Sequence, residues 1–426
     1  MAVPDAADRP PTGGGTREVG QREFAALITL LIAVPALGMD VMLPAFPQMR
    51  EAFGFAPGSA NVGLVVSTYV FGMAFGPWLF GPLSDERGRR GPVFVALGLY
   101  CTSAAVAAVS FTWPMLLVAR VVWGISAGGV RSLALASVRD RYGGDRMARL
   151  MGLVMSVFMV VPVLAPGLGA LLLHLLPWRS VLWFPVVAGL VIMAWMRRLP
   201  ETLDPAMRRS LAWGSVLDAV REVLRHRQVM ALVMAMTFLQ GIMTMYLASS
   251  PTILEEVFDL GGWFPLFFGG MAVVLSLNSM SNSRLCGTIG AIRLLRVQSW
   301  LAIGTSVVML AIALLTDGAP PFWLFVLTLM TCVPLAQGLG PTSNAVVMTP
   351  LPHIAGTAAS IITTIVWAGG AIIGSIGTSA FDGTITPFAA AYCGFAVVAS
   401  AFVLVGTPRA GGELQPVRQF VPEPEF

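Results

Sequence analysis

One carboxylate and two guanidinium groups stand where the sequence is otherwise almost wholly apolar. Asp40 lies in GMDVMLPAFPQM, residues 38 to 49, within a run that is predominantly apolar from Phe24 to Met49, and Arg120 and Arg131 share a second run near WPMLLVARVVWGISAGGVRSLAL. A charged side chain inside such a run is costly in hydrocarbon, faces a cavity or a partner, and reads as functional by default. At 1.5 Å per residue Asp40 is about 9 Å from the outer end of its run, and Arg120 enters its own run at about the same depth. Arg131 follows Arg120 by eleven residues, which at about 100° per residue returns it to within roughly 20° of the same face. The spacing therefore predicts one polar layer in which Asp40 pairs with Arg120, with Arg131 on the same inward face. The chemistry this allows is reversible protonation, because burial favours a neutral carboxyl and a nearby arginine favours the carboxylate. A fixed structural ion pair, or an arginine reaching for the membrane surface, is the plainer alternative.

These residues need elements that span a bilayer, and the composition supplies them. Of 426 residues 56% are hydrophobic and 11% charged, with a mean hydropathy of +0.79, far from the roughly 25% charged residues of a soluble domain. A spanning helix needs about 20 apolar residues. Twelve such runs are expected, at 24–46, 61–83, 91–111, 114–138, 147–173, 178–197, 227–250, 261–283, 294–316, 320–344, 354–377 and 384–407. All 26 basic residues are arginine, and placing both termini in the cytoplasm assigns 22 of them to that side. The positive-inside rule then sets the orientation. Cys101, Cys286, Cys332 and Cys393 lack CxxC or metal-like spacing and read as reduced packing residues. The polar first 23 residues lack the apolar core of a signal peptide.

The arginine-rich stretch from Arg197 to Arg227 divides the chain into six runs plus six, as a tandem repeat would. The expected organisation is a cytoplasmic tail at 1–23, a six-helix bundle at 24–197, a cytoplasmic connector at 198–226, a second bundle at 227–407 and a tail at 408–426. The loop GPLSDERGRRGPVF after the second run has a weak echo after the eighth, SNSRLCGTIGAIRLLR, in which Arg284, Gly287 and Arg293 form the degraded copy.

In GPLSDERGRR, Gly81 and Gly88 allow close helix approach and a tight turn. Asp85 among Arg87, Arg89 and Arg90 can cap a helix or pair with charges that separate when the halves rock apart, or the loop can simply fix topology. In PVLAPGLGALL, Pro162 and Pro166 remove backbone donors while Gly167 and Gly169 thin the helix, giving a flexible or tightly packed face. GPLSDERGRR resembles the loop signature of the major facilitator superfamily. RVVWGISAGG from Arg120 and PVLAPGLGALL from Pro162 are similar to its helix-four arginine motif and its antiporter helix-five motif. Together with GMDVMLPAFP, SVRDRY and LPET, these stretches resemble Bcr/CflA-type drug exporters, including the phenicol exporters. Arg131 and Trp123 depart from what those exporters usually carry. The resemblance implies an all-α integral membrane protein with twelve transmembrane helices in two bundles, working by alternating access.

Other candidates for the substrate cavity are Ser67, Thr68, Tyr69 and Trp123 in the first half and Gln240, Tyr246 and Asn344 in the second. Phe264, Phe267 and Phe268 are expected to add apolar substrate surface. The expected function is proton-coupled export of small amphipathic drug-like compounds, with export of an endogenous sugar, peptide or siderophore-like molecule as the alternative. A receptor or membrane enzyme would need a soluble domain or catalytic constellation; His174, His226 and His353 are scattered, and no nucleophile motif or P-loop is present. Small-molecule substrate, protons and lipid are the expected partners, with no nucleic acid, no cofactor and no metal, for a monomer in the bacterial cytoplasmic membrane.

Overall fold

The computed structural model describes residues 20–204, 206, 208 and 213–407. The expected tail at 408–426, all but the end of the tail at 1–23, and part of the connector lie outside the described residues. The helices are α1 (Gln21–Asp40), α2 (Phe46–Ala52), α3 (Leu64–Arg87), α4 (Arg90–Ala108), α5 (Trp113–Arg141), α6 (Gly144–Leu175) and α7 (Ser180–Met196) in the first half. A connector helix α8 (Trp213–Arg225) precedes α9 (Arg227–Glu256), α10 (Phe264–Ile289), α11 (Ala291–Leu315), α12 (Phe322–Met348), α13 (Ala355–Ser379) and α14 (Thr386–Gly406). Every expected span has its long helix. Among the described residues ten helical segments are long and apolar enough to cross a membrane, and Val160–Leu175 with Ser180–Met196 passes as a pair bent by 120°. That bend turns the chain back on itself. With 32 residues in α6 and 17 in α7, about 48 and 26 Å at 1.5 Å per residue, the pair is two spans.

The first span departs from its expected form. The sequence reading runs one helix through residues 24–46, whereas α1 stops at Asp40 and the chain continues through a 3₁₀ turn at Leu43–Ala45 into α2. Pro44 and Pro47 remove two backbone donors, so the α-helical ladder cannot pass through them unbroken. Asp40 is consequently the last residue of α1, at a break inside the helical segment Gln21–Ala52 that is long and apolar enough to cross a membrane.

Close backbone approach holds the first half together. A Cβ at Gly72 on α3 would lie 2.1 Å from the Val121 carbonyl oxygen, and one at Gly124 on α5 would lie 2.1 Å from that of Tyr69, so the α3–α5 seam excludes any larger residue. The turn after α3 needs Gly88 at φ +91°, and the matching turn after α10 uses Gly290 at φ +81°. Both turns thus use a glycine at positive φ, while Gly287 of the sequence echo lies within helix α10. Across the halves, α13 packs on α3 and α10 on α6, with Thr364 Oγ1 donating to the Ala74 carbonyl at 2.9 Å.

Candidate functional site

The C-terminal end of α1 is the centre of the site. The last four carbonyls of any helix lack intrahelical donors, and here one of them is met from α5: Arg120 donates from Nη1 to the Gly38 carbonyl at 2.8 Å. Its Nε donates to the Val65 carbonyl on α3 at 3.0 Å. A cation on a helix C-terminus also opposes the negative end of the macrodipole. The guanidinium carbon lies 4.1 Å from the centroid of the Tyr69 ring and 4.7 Å from that of Trp123, and Arg120 is fully buried. Tyr69 donates its hydroxyl to the Pro35 carbonyl and Tyr100 to the Val34 carbonyl, both at 3.0 Å. Gly38 is required at the centre of this cradle, since a Cβ there would stand 2.8 Å from each tyrosine hydroxyl and 3.2 Å from Trp123.

Asp40 is two residues beyond Gly38 and 2% exposed, and its Oδ1 is buried with no hydrogen-bond partner. Among the described residues it forms no ion pair within 4.0 Å, and the expected Asp40–Arg120 pair is not made. The helix break places the acid and the arginine apart: ending α1 at Asp40 leaves the Gly38 carbonyl free for Arg120 Nη1, while Arg120 Nη2 is buried with no hydrogen-bond partner. Tyr246 is buried without a well-formed hydrogen bond and stacks on Phe268 at 6.0 Å.

Arg131 does not join this cluster. Its guanidinium reaches across to α13, 5.5 Å from the Trp367 ring, in a cavity of about 240 Å³ shared by Met73, Ser132, Ser360 and Thr363. Trp123 packs beneath Arg120 instead of lining open space. Gln240 is half-buried at a close crossing with Gly370, and Asn344 is exposed near the end of α12. Thr68 is half-buried and returns its hydroxyl to the Leu64 carbonyl, Ser67 is buried with its hydroxyl unpaired, and Phe264, Phe267 and Phe268 are buried. On α6, Pro162 and Pro166 lie inside the helix. Gly169, whose Cβ would fall 2.0 Å from the Val41 carbonyl, makes the close approach, while Gly167 faces open space.

The loop motif is organised by residues that the sequence reading quoted without assigning a role. Arg89 donates to Asp85 at 2.5 Å, Ser84 at 2.6 Å and Asp140 on α5 at 2.7 Å. Burial alone would lower its affinity for a proton, but the Asp140 and Asp85 contacts outweigh this and hold Arg89 above its ordinary pKa. Glu201, from LPET, accepts from the backbone N–H of Arg89 at 2.7 Å and of Arg90 at 3.1 Å. Its own burial pushes its pKa up, yet the amides of Leu203, Arg89, Arg90 and Thr202 prevail and hold it below the usual carboxylate range. Arg90 Nη2 donates to the Arg197 carbonyl at 2.8 Å. Gly81 touches nothing within 4 Å of where a Cβ would be, so it provides no close approach.

The second half carries a neutral network that no charge pattern signals. Gln298 on α11 donates to Asn282 on α10 at 2.8 Å, and Asn282 donates to the Gly338 carbonyl on α12 at 2.8 Å. Asn278 donates at 2.7 Å to the Pro334 carbonyl.

The Major Facilitator Superfamily model matches residues 28–375. A bicyclomycin resistance protein homolog of Haemophilus influenzae is 24% identical over 366 residues, covering 85% of this chain and 91% of the relative. A chloramphenicol resistance protein of Pseudomonas aeruginosa is 27% identical over 373 residues, covering 83% and 84%. Among solved structures, the xylose transporter XylE from E. coli superposes with a TM-score of 0.72 at 15% identity, over 92% of this chain and 99% of that one. A family match over most of the chain, with an all-helical fold shared with a solved transporter, makes this multi-pass membrane protein a transporter that belongs to the Major Facilitator Superfamily.

Proposed function

We propose that the protein exports small amphipathic, drug-like compounds in exchange for protons, by alternating access between its two six-helix halves. The observation that carries the proton step is the Asp40 carboxylate, 2% exposed and lacking a partner for Oδ1 at the broken end of α1. An unpaired buried carboxylate exists most readily as the neutral acid, and it releases its proton when water or a cation reaches it. The cradle of Arg120, Tyr69, Trp123 and Tyr100 fixes the backbone that carries it. From the second half, α13 packs on α3, the helix that carries Tyr69 of the cradle, so rocking of the halves would alter the surroundings of the carboxylate. The resistance proteins among the relatives favour drug-like cargo. In this reading Arg131, Gln240 and Asn344 face the substrate path, and the Asp85–Arg89 loop governs conformational exchange. The two bundles are residues 24–197 and 227–407, and the monomer lies in the bacterial cytoplasmic membrane with both termini inside.

The test is purified protein in liposomes with an imposed pH gradient and a panel of amphipathic drugs, with a protonophore control. Proton-for-drug exchange that the protonophore abolishes is expected. Equal uptake with and without a gradient would overturn proton coupling.

A further inference from the structure

The cavity of about 240 Å³ that Arg131 lines is formed by α3 and α5 of the first half and α13 of the second. Arg131 is ten residues from the end of α5, about 15 Å at 1.5 Å per residue. Arg139, two turns further along the same helix, is exposed and also lines the cavity. Among the described residues neither arginine forms an ion pair within 4.0 Å. No carboxylate lines the cavity. Asp85 and Asp140, the acids at this end of α3 and α5, are held by Arg89, Glu86 is exposed, and α13 carries no titratable residue. Trp367 is the contact that Arg131 does make, with the guanidinium carbon 5.5 Å from the ring centroid. A ring face steadies a cation without taking up its N–H donors. Ser132 and Ser360 return their hydroxyls to the Gly129 and Gly356 carbonyls of their own helices, at 2.9 and 3.3 Å. The Thr363 hydroxyl, one turn before Trp367, makes no hydrogen bond among the described residues.

We propose that this cavity binds the acid group of an anionic amphipathic substrate, with Arg131 as its main ligand, Thr363 as a neutral donor and Arg139 as the cation that draws the anion in. An intramembrane charge without a counter-charge is costly, and a ligand that supplies the missing anion offsets that cost. Two cations facing one cavity also give it a positive potential, which low-dielectric walls such as Met73 and Leu135 strengthen. The planar guanidinium matches the two oxygens of a carboxylate or sulfonate. Size limits what can enter. At about 240 Å³ the cavity is smaller than the roughly 300–1,000 Å³ of a site for a whole drug-sized molecule, so it takes the acid head and leaves the apolar body outside. Met73 is one turn from Tyr69 on α3, which places this anion site next to the Arg120 cradle. The inference rests on the reading above that cargo passes between the halves, and it adds the charge of that cargo.

The test reads binding, independently of export. The probes are naphthoate, an aromatic carboxylate, and naphthamide, its uncharged counterpart of the same shape. Equilibrium dialysis against the full chain in phosphatidylcholine nanodiscs, with empty discs as the blank, is run at about pH 7.5, where an ordinary carboxyl is ionised. The parent should bind naphthoate at least about tenfold more tightly than naphthamide, the size of one charge-assisted hydrogen bond. Arg131→Gln should erase that preference, weakening naphthoate at least about tenfold and leaving naphthamide within about twofold. Arg131→Lys keeps the charge but loses the two-pronged geometry, so it should retain only part of the preference. Thr363→Val should weaken naphthoate by about threefold. Should Arg131→Gln fail to fold, Arg131→Lys and Thr363→Val must each lower the preference. Equal binding of the two probes by the parent, or an equal loss of both in Arg131→Gln, overturns the anion site and leaves Arg131 as a structural contact of Trp367. Phosphatidylglycerol found by mass spectrometry on the purified parent but not on Arg131→Gln, and excluding naphthoate, would assign the cavity to a lipid headgroup and overturn the substrate class. Loss of proton-driven export with the anion preference intact would remove the coupling and leave this site standing.

Discussion

Arg120 donates its Nη1 hydrogen to the carbonyl of Gly38, 2.8 Å away, and not to the carboxylate of Asp40 two residues later. The arginine is thereby a cap on the end of α1, and the acid is left unpaired at the same place. Residues in direct contact couple by roughly 0.5–3 kcal/mol in double-mutant cycles, and residues without a shared bond couple less. Thermal unfolding of Asp40→Asn, Arg120→Ala and the double variant should therefore give losses that add to within about 0.5 kcal/mol. A coupling of 2 kcal/mol or more, on the order seen for direct pairs, would show that the two side chains meet.

Arg120→Lys should be nearly as damaging as Arg120→Ala. An ammonium can reach one carbonyl, but it cannot serve both Gly38 and Val65 from a plane stacked on Tyr69 and Trp123. Each lost bond from a charged donor is worth about 1.5–3 kcal/mol. Equal thermal stability of Arg120→Lys and the parent would refute the cap.

Gly38→Ala should abolish exchange or slow it by at least about tenfold, because overpacking of a close contact costs about 1–3 kcal/mol. The added methyl meets the hydroxyl oxygens of Tyr69 and Tyr100, the atoms that hold the Pro35 and Val34 carbonyls. Adding Tyr69→Phe and Tyr100→Phe to Gly38→Ala removes the clashing oxygens and should restore part of the stability. If the triple variant is less stable than Gly38→Ala alone, the clash is not the cause.

The charges were legible in the sequence because they interrupt apolar runs, and the twelve helices because their apolar stretches are long. The Gly38 carbonyl was not, since every residue has one and only the helix end at Asp40 frees it. Pro44 and Pro47 carried the signal for that end and were passed over in favour of continuous hydropathy. Arg50 pairs with Glu255, 205 residues away along the chain, and pairing at that separation has no local signature. The second-half turn at Gly290 was not legible either, because a φ of +81° is a property of the folded backbone and not of the motif-like string around it.

Glu201 makes the loop motif sensitive to acid in a defined direction. Its pKa is depressed in the folded protein, so its contribution is present at neutral pH and is lost only as pH falls below the ordinary carboxylate range and through the folded value. The size is about 1 kcal/mol, because the carboxylate is largely exposed and screened. The protection factors of the Arg89 and Arg90 amides should be high at pH 7 and fall on strong acidification, while Glu201→Gln should lower them already at pH 7. Protection in Glu201→Gln equal to the parent at pH 7 would remove this role.

Arg89 holds Ser84 and Asp85 on α3 to Asp140 on α5, so Arg89→Ala breaks three contacts where Asp85→Asn weakens one. Turnover should fall in both variants, and further in Arg89→Ala, while membrane insertion persists because the apolar spans are untouched. Asp140→Asn should resemble Arg89→Ala more than Asp85→Asn does, since it severs the link between the two helices. The drug affinity of all three should match the parent, because the motif lies away from Asp40 and the cradle beneath it. Measured exchange rates at matched protein levels decide the order, with drug affinity taken from equilibrium binding. Parental turnover in Arg89→Ala would leave the loop as a topology signal alone.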